Sequence, residues 1–217
     1  MTQNLTTKIQ KLFSEVSLKV RCVFIPMFCM AVSALTAATK DNLLDNPGLE
    51  EPSGGQKVEN WELVQTQGRL VQCSVDEETC HSGRRAVVLE AAEAVAGNYG
   101  EWRPSSLPRL EAGKTYRFAV WTKGSHLEGR PPYLEVYSFD KDGEPRLIAQ
   151  AQTKLGDFDW KRIVCNFNVP KDSDRIRLGA GLSGGTGKVW FDDFWLGDAQ
   201  GDQGPVDFGE KLTTKKF

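Results

Sequence analysis

Two distant stretches decide how this chain reads: Asn42-Leu-Leu-Asp-Asn-Pro-Gly-Leu-Glu50 and Lys188-Val-Trp-Phe-Asp-Asp-Phe-Trp-Leu196. Each sets carboxylates at the edge of an apolar, strand-like run, and the two look made to lie side by side. Between them, Leu110-Glu-Ala-Gly-Lys-Thr-Tyr-Arg-Phe-Ala-Val-Trp-Thr-Lys-Gly124 gives a turn feeding an alternating strand. There Tyr116, Phe118 and Val120 share one parity, and Arg117, Ala119, Trp121 and Lys123 the other. That is the period of a half-buried strand. The expectation is a compact all-β domain whose ends are tied together. A hard cation is one way to join two carboxylate edges.

The same pattern extends outward. No helix-length amphipathic stretch follows residue 40. Alternating segments predict strands over 61–65, 69–73, 86–90, 116–123, 133–139, 146–152, 160–169, 175–178 and 189–196. Turn signals separate them, among them His81-Ser-Gly, Lys141-Asp-Gly and Ser183-Gly-Gly-Thr-Gly, the last read as a hairpin turn. Ile163, Cys165, Phe167 and Val169 fall on one face and read as core. Tyr133, Glu135, Tyr137 and Phe139 share a face, as do Trp160, Arg162, Val164 and Asn166. Such mixtures of rings, charges and amides suit a half-wet surface holding a polar ligand with apolar faces. Trp61, Trp160 and Trp190 read as core aromatics.

The ends of the 217-residue chain differ from its middle. Lys8, Lys11, Lys19 and Arg21 precede the apolar run Val23 to Leu35 and the small residues Thr36-Ala37-Ala38. Residues 1–38 thus read as a secretory signal peptide. The apolar run is shorter than the roughly 20 residues of a membrane span. Residues 39–198 form the predicted domain and 199–217 a flexible tail. The chain carries a formal net charge of −2. Residues 1–38 hold four Lys/Arg and one acid, so the remainder is more acidic still. With no basic run, nucleic acid is excluded as a partner. An exported monomer with no membrane span after signal removal is expected. In an oxidising compartment Cys73 and Cys80, which enclose Ser-Val-Asp-Glu-Glu-Thr, are either a local disulfide or two free thiols.

The order and spacing of several motifs resemble the carbohydrate-binding modules of families four, nine, sixteen and twenty-two, which are β-jelly-roll sandwiches. The motifs are Asn42-Leu-Leu-x-Asn-Pro-Gly-Leu-Glu50, Trp61, His81-Ser-Gly-Arg-Arg85, Ala112-Gly-Lys-Thr-Tyr116 with Trp121, Trp160 with Phe167-x-Val-Pro170, and Val189-Trp-Phe-Asp-Asp193. The resemblance implies a non-catalytic module binding a poly- or oligosaccharide by aromatic stacking. It places a binding tryptophan at Trp102, a second aromatic at Tyr137 or Phe139, and hydrogen-bonding groups at Glu135 and Arg146. It also implies a structural calcium held by the Gly48 carbonyl, the Glu50 carboxylate, carbonyls near Ser82 and Arg85, and Asp192. Asp192 is preferred over Asp193 because neighbours on a strand face opposite ways. One departure stands out. Where some members carry a histidine on the penultimate strand, this chain has Arg177-Leu-Gly-Ala-Gly-Leu. A cell-surface structural or adhesion module binding a protein is the alternative. For an enzyme the chain offers no zinc-ligand spacing, nucleophile elbow or phosphate loop.

Overall fold

The computed structural model describes residues 42–209 apart from 53, 55, 56, 69 and 203. The signal-peptide reading of 1–38 and the tail beyond 209 lie outside the described residues. The chain forms eleven strands: β1 Trp61–Gln65, β2 Val71–Asp76, β3 Ala86–Ala91, β4 Tyr99–Pro104, β5 Thr115–Glu128, β6 Tyr133–Phe139, β7 Pro145–Gln152, β8 Gly156–Asn168, β9 Arg175–Ser183, β10 Thr186–Asp198 and β11 Phe208–Gly209. They make a five-stranded sheet, β1-β4-β9-β6-β7, and a six-stranded sheet, β11-β8-β5-β10-β3-β2. Together these are the jelly-roll sandwich. No helix among the described residues is long and apolar enough to cross a membrane.

Alternation packs one side of each sheet against the other. Phe118, Phe167, Phe191, Leu134, Val136 and Leu178 meet between the sheets with essentially no exposure. Each such side chain contributes about 1.5–3 kcal/mol on burial. The parities expected for Tyr116, Phe118 and Val120, and for Ile163, Cys165, Phe167 and Val169, are those of this core. Trp61 joins it, but Trp190 packs on the outer side of the six-stranded sheet with Ala86 and Val88, and Trp160 lies half-exposed beside them.

The two ends of the domain are neighbours. Leu43 N donates to the Leu196 carbonyl at 2.7 Å, and Phe194 N donates to the Pro47 carbonyl at 2.9 Å. Asn42 bridges both ways: its Nδ2 donates to Phe194 O, and its Oδ1 accepts from Leu196 N at 3.0 Å.

Four features depart from the sequence reading. Tyr99–Pro104 is a strand, although Gly100 and Pro104 weaken its pattern. The 184–185 turn is not a hairpin: β9 and β10 belong to different sheets, so it arches between them. Residues 199–209 are not a free tail, because β11 pairs in parallel with β8 and Asp202 binds Arg117 and Arg162. Cys73 and Cys80 are both free thiols. Cys73 packs towards the main core, whereas Cys80 packs on the outer cluster around Trp190, so the two face opposite sides of the sheet.

Candidate functional site

The outer face of the five-stranded sheet carries its chemistry on β4, β9 and β6. Gly100 and Trp102 point inward from β4, so Glu101 and Arg103 point out. Trp102 is 2% exposed within the core cluster, with its indole N–H unpartnered. It stands opposite Leu63 on one side and Ala180 on the other. Trp102 is therefore a core residue and cannot supply a stacking surface, contrary to the sequence expectation. Its misplacement follows from the unrecognised strand β4, which decides which residues turn inward.

The glycines of Arg177-Leu-Gly-Ala-Gly-Leu do make room on this face, and the chain's own side chains fill it. A Cβ at Gly179 would lie 1.6 Å from Glu101 Oε1, and one at Gly181 would lie 2.5 Å from the Tyr133 ring. Glu101, itself 1% exposed, lies down over Gly179 and receives two bonds from Arg103, at 2.8 Å from Nε and 3.1 Å from Nη2. This fork is the strong carboxylate–guanidinium geometry. Burial pushes the Tyr133 hydroxyl well above its ordinary range, and the nearby Glu101 adds to it.

Glu135, Tyr137 and Phe139 share the outer face of β6, as their parity required, but only Glu135 and Tyr137 are half-buried; Phe139 is buried at 9% exposure and so offers little open stacking surface, contrary to the sequence expectation. Arg177, across the pair on β9, reaches Glu135 at 3.3 Å. Its guanidinium also lies 4.3 Å from the Tyr137 ring centroid, and that of Arg175 lies 4.2 Å from Phe139. These are cation–π contacts of about 0.5–2 kcal/mol each. Arg146 is not among them. A one-residue register shift between Val136 and Tyr137 sets Arg146 opposite buried Ser138 rather than Phe139, and it pairs with exposed Asp172 at 2.9 Å. Arg175 and Arg177, which the sequence reading passed over, hold the position it was given.

Burial pushes the Glu135 carboxyl up to about 7; Glu101 adds to the rise, and Arg177 and Arg103 oppose it. The folded state therefore holds this proton more tightly than the unfolded chain, whose value is near 4.5. Its stabilising contribution is complete below that pH and is lost as pH rises through 7. The stability of wild type minus that of Glu135→Gln should fall by about 1–3 kcal/mol between pH 4.5 and 7.5. Urea melts of both proteins at the two pH values measure it, and a flat or rising difference contradicts the assignment.

At the end of this face opens a cavity of about 700 Å³. Its lining includes Arg103, Ser105, Ser106, Arg109, Phe139, Arg175 and Arg177.

A second constellation gathers at the joined ends. Asp192, fully buried, accepts hydrogen bonds from His81 N at 2.8 Å and Ser82 N at 3.1 Å through Oδ2, and from Asp193 N at 2.7 Å through Oδ1. Glu50 Oε1 accepts from Arg84 N at 2.8 Å and Arg85 N at 3.1 Å. Only glycine serves at 83: its φ is +63°, and a Cβ there would lie 2.2 Å from Glu50 Oε1. Gly48 adjoins, with a Cβ position 3.6 Å from Asp193 Oδ1. Asp193 does not turn away from its neighbour. It takes a left-handed φ of 49° at a bulge in β10, and its carboxylate reaches Ser82 Oγ and His81 Nδ1. Burial, followed by repulsion from Asp193, pushes the Asp192 carboxyl up to about 7 despite its three N–H donors.

The Asp192 and Glu50 carboxylates meet at one turn, oxygen donors of the kind calcium takes, and the carbonyls of Gly48, Ser82 and Arg85 are those that would complete its shell. Among the described residues no three His, Cys, Asp or Glu side chains converge as a metal cluster. Any ion there would rely on carbonyls for much of its shell.

A search of curated proteins returned no match. Among solved structures, a family 16 carbohydrate-binding module aligns with a TM-score of 0.50 at 18% identity, covering 71% of this chain and 99% of that one. A family 4 module aligns with a TM-score of 0.50 at 18% identity, covering 71% and 98%. The enzymatically active domain of tailspike protein 4 from bacteriophage CBA120 aligns with a TM-score of 0.54 at 17% identity, over 72% of this chain but only 21% of the tailspike. At these identities the likenesses establish the fold. The sequence model of the carbohydrate binding domain family matches residues 41–182, most of the sandwich just described, and the chain belongs to that family.

Proposed function

We propose that the chain is an exported, non-catalytic monomer that binds a poly- or oligosaccharide on the outer face of the five-stranded sheet. The observation carrying this reading is that Tyr137, Phe139, Glu135, Arg177 and Arg175 share one face leading into the 700 Å³ cavity. The half-buried Tyr137 ring supplies contact area at little entropic cost, while guanidinium donors held over the rings and the Ser105 and Ser106 hydroxyls bind sugar oxygens. Export rests on the basic, apolar and small-residue succession of residues 1–38. A protein-binding module would call for one broad apolar patch. The exposed large apolar side chains among the described residues are instead scattered along the chain, from Leu43 before β1 to Val206 before β11, with only Leu63 and Leu147 on strands, at opposite edges of the five-stranded sheet.

A glycan array followed by titration calorimetry tests this. Tyr137→Ala and Phe139→Ala should each weaken binding at least about tenfold, roughly 1.4 kcal/mol, by removing the rings on which the Arg177 and Arg175 guanidinium groups rest. Trp102→Phe should leave affinity within about twofold, since only core packing changes. Half-buried Tyr137 guards against the case in which Phe139→Ala fails to fold. Absence of any glycan binding by folded wild type, or full affinity in Tyr137→Ala, rejects the proposal.

A structural calcium at the joined ends belongs to the same proposal. Glu50, Asp192 and the carbonyls of Gly48, Ser82 and Arg85 would hold it, and the ion would compensate the buried Asp192 charge. What supports it is the burial of that carboxylate with no cationic side chain bonded to it. An identical melting temperature in calcium chloride and in chelator would remove it.

A further inference from the structure

The carbohydrate reading leaves the class of sugar open, and the cavity lining bears on that choice. Two features set it apart from a platform for neutral glycans. First, the rings that would stack on a pyranose are covered by guanidinium groups: Arg175 over Phe139 at 4.2 Å and Arg177 over Tyr137 at 4.3 Å. Second, the lining is rich in cationic donors. Four arginines face it, Arg103, Arg109, Arg175 and Arg177, against the carboxylates of Glu62 and Asp174.

These arginines are not equivalent. Arg103 is taken up by Glu101 and Arg177 by Glu135. Among the described residues neither Arg109 nor Arg175 has a carboxylate within 4.0 Å, although Glu62 and Asp174 line the same cavity. Both are exposed. Arg177 keeps its Nε buried without a hydrogen-bond partner. The site thus offers forked donors in want of acceptors, the geometry that carboxylates and sulfates satisfy with paired N–H···O bonds. A chain of net charge −2 does not attract polyanions at long range, so the preference is built locally.

Resting on the carbohydrate reading above, we propose that the sugar bound here is acidic, a carboxylate- or sulfate-bearing saccharide whose anion is held by Arg109 and Arg175. Calorimetry at low salt with three ligands decides it: a tetragalacturonate, a sulfated galactan oligosaccharide and uncharged galactotetraose. Wild type should bind one of the acidic ligands at least about tenfold more tightly than the neutral one, and high salt should erase much of that margin. The tighter acidic ligand tells carboxylate from sulfate. Arg109→Gln and Arg175→Gln, both at exposed positions, should each lose about tenfold on that ligand and much less on galactotetraose. Equal affinity for acidic and neutral ligands, or acidic binding untouched in both variants, overturns the inference while leaving a carbohydrate-binding module. Equally tight binding of single-stranded DNA overturns it by showing a generic polyanion surface. Failure of folded wild type to bind any glycan, across these ligands and the array, overturns both readings.

Discussion

Replacing Asp192 by alanine lowers the stability of the domain by about 3–5 kcal/mol, a fall in Tm of roughly 10 °C for a domain of this size. The side chain is fully buried and is the acceptor for three backbone N–H groups, those of His81, Ser82 and Asp193. Alanine leaves all three without that partner in a place water reaches poorly. The loss also removes one of two ties between the 81–85 turn and β10, leaving the Asp193 carboxylate on Ser82 Oγ and His81 Nδ1, while Glu50 still holds the turn to the first segment through Arg84 and Arg85. Asp192→Asn is the informative companion. It keeps an acceptor oxygen and removes the repulsion from Asp193 that helps push the acid up to about 7, so it should cost much less than alanine. Chemical denaturation of the three proteins measures both, and an alanine variant within 1 kcal/mol of wild type, on the order of an ordinary surface change, contradicts the account.

Arg103→Ala is the second large effect, about 3–5 kcal/mol. It strands the Glu101 carboxylate, which is 1% exposed and held by two bonds from that guanidinium. The cost is the unpaired buried charge more than the lost pair. Adding Glu101→Gln to Arg103→Ala should therefore recover a good part of it. Because Glu101 lies on the glycine floor of β9 and Arg103 lines the cavity, glycan affinity should fall with stability in the single variant. Equal stabilities of the single and double variants would show that the charge is not the cause.

Much of the architecture was legible from local pattern. Period-two alternation in Tyr116–Val120 and Ile163–Val169 assigns the core face because a strand has only two faces. The motif pair around Glu50 and Asp192 announced that the ends meet, and Leu43, Asn42 and Phe194 bond across that seam. Glu135, Tyr137 and Phe139 were placed together correctly for the same reason of parity. The errors arose where parity is reset by something non-local. The bulge after Val136 moved Arg146 off the face, and the left-handed backbone at Asp193 brought two consecutive acids to one turn. β4 went unrecognised because its inward residues are Gly100 and Trp102, a pair with little apolar rhythm.

The sequence by itself determined an all-β sandwich with joined ends, since alternation and turn chemistry act between near neighbours along the chain. Only the tertiary structure decided what stands at the site: that Trp102 is interior, that Glu101 and Tyr133 fill the space over Gly179 and Gly181, and that Arg175 and Arg177 cover the rings. Those outcomes depend on which strand pairs with which across long separations in sequence, and pairing between distant segments is set by the closure of the whole core.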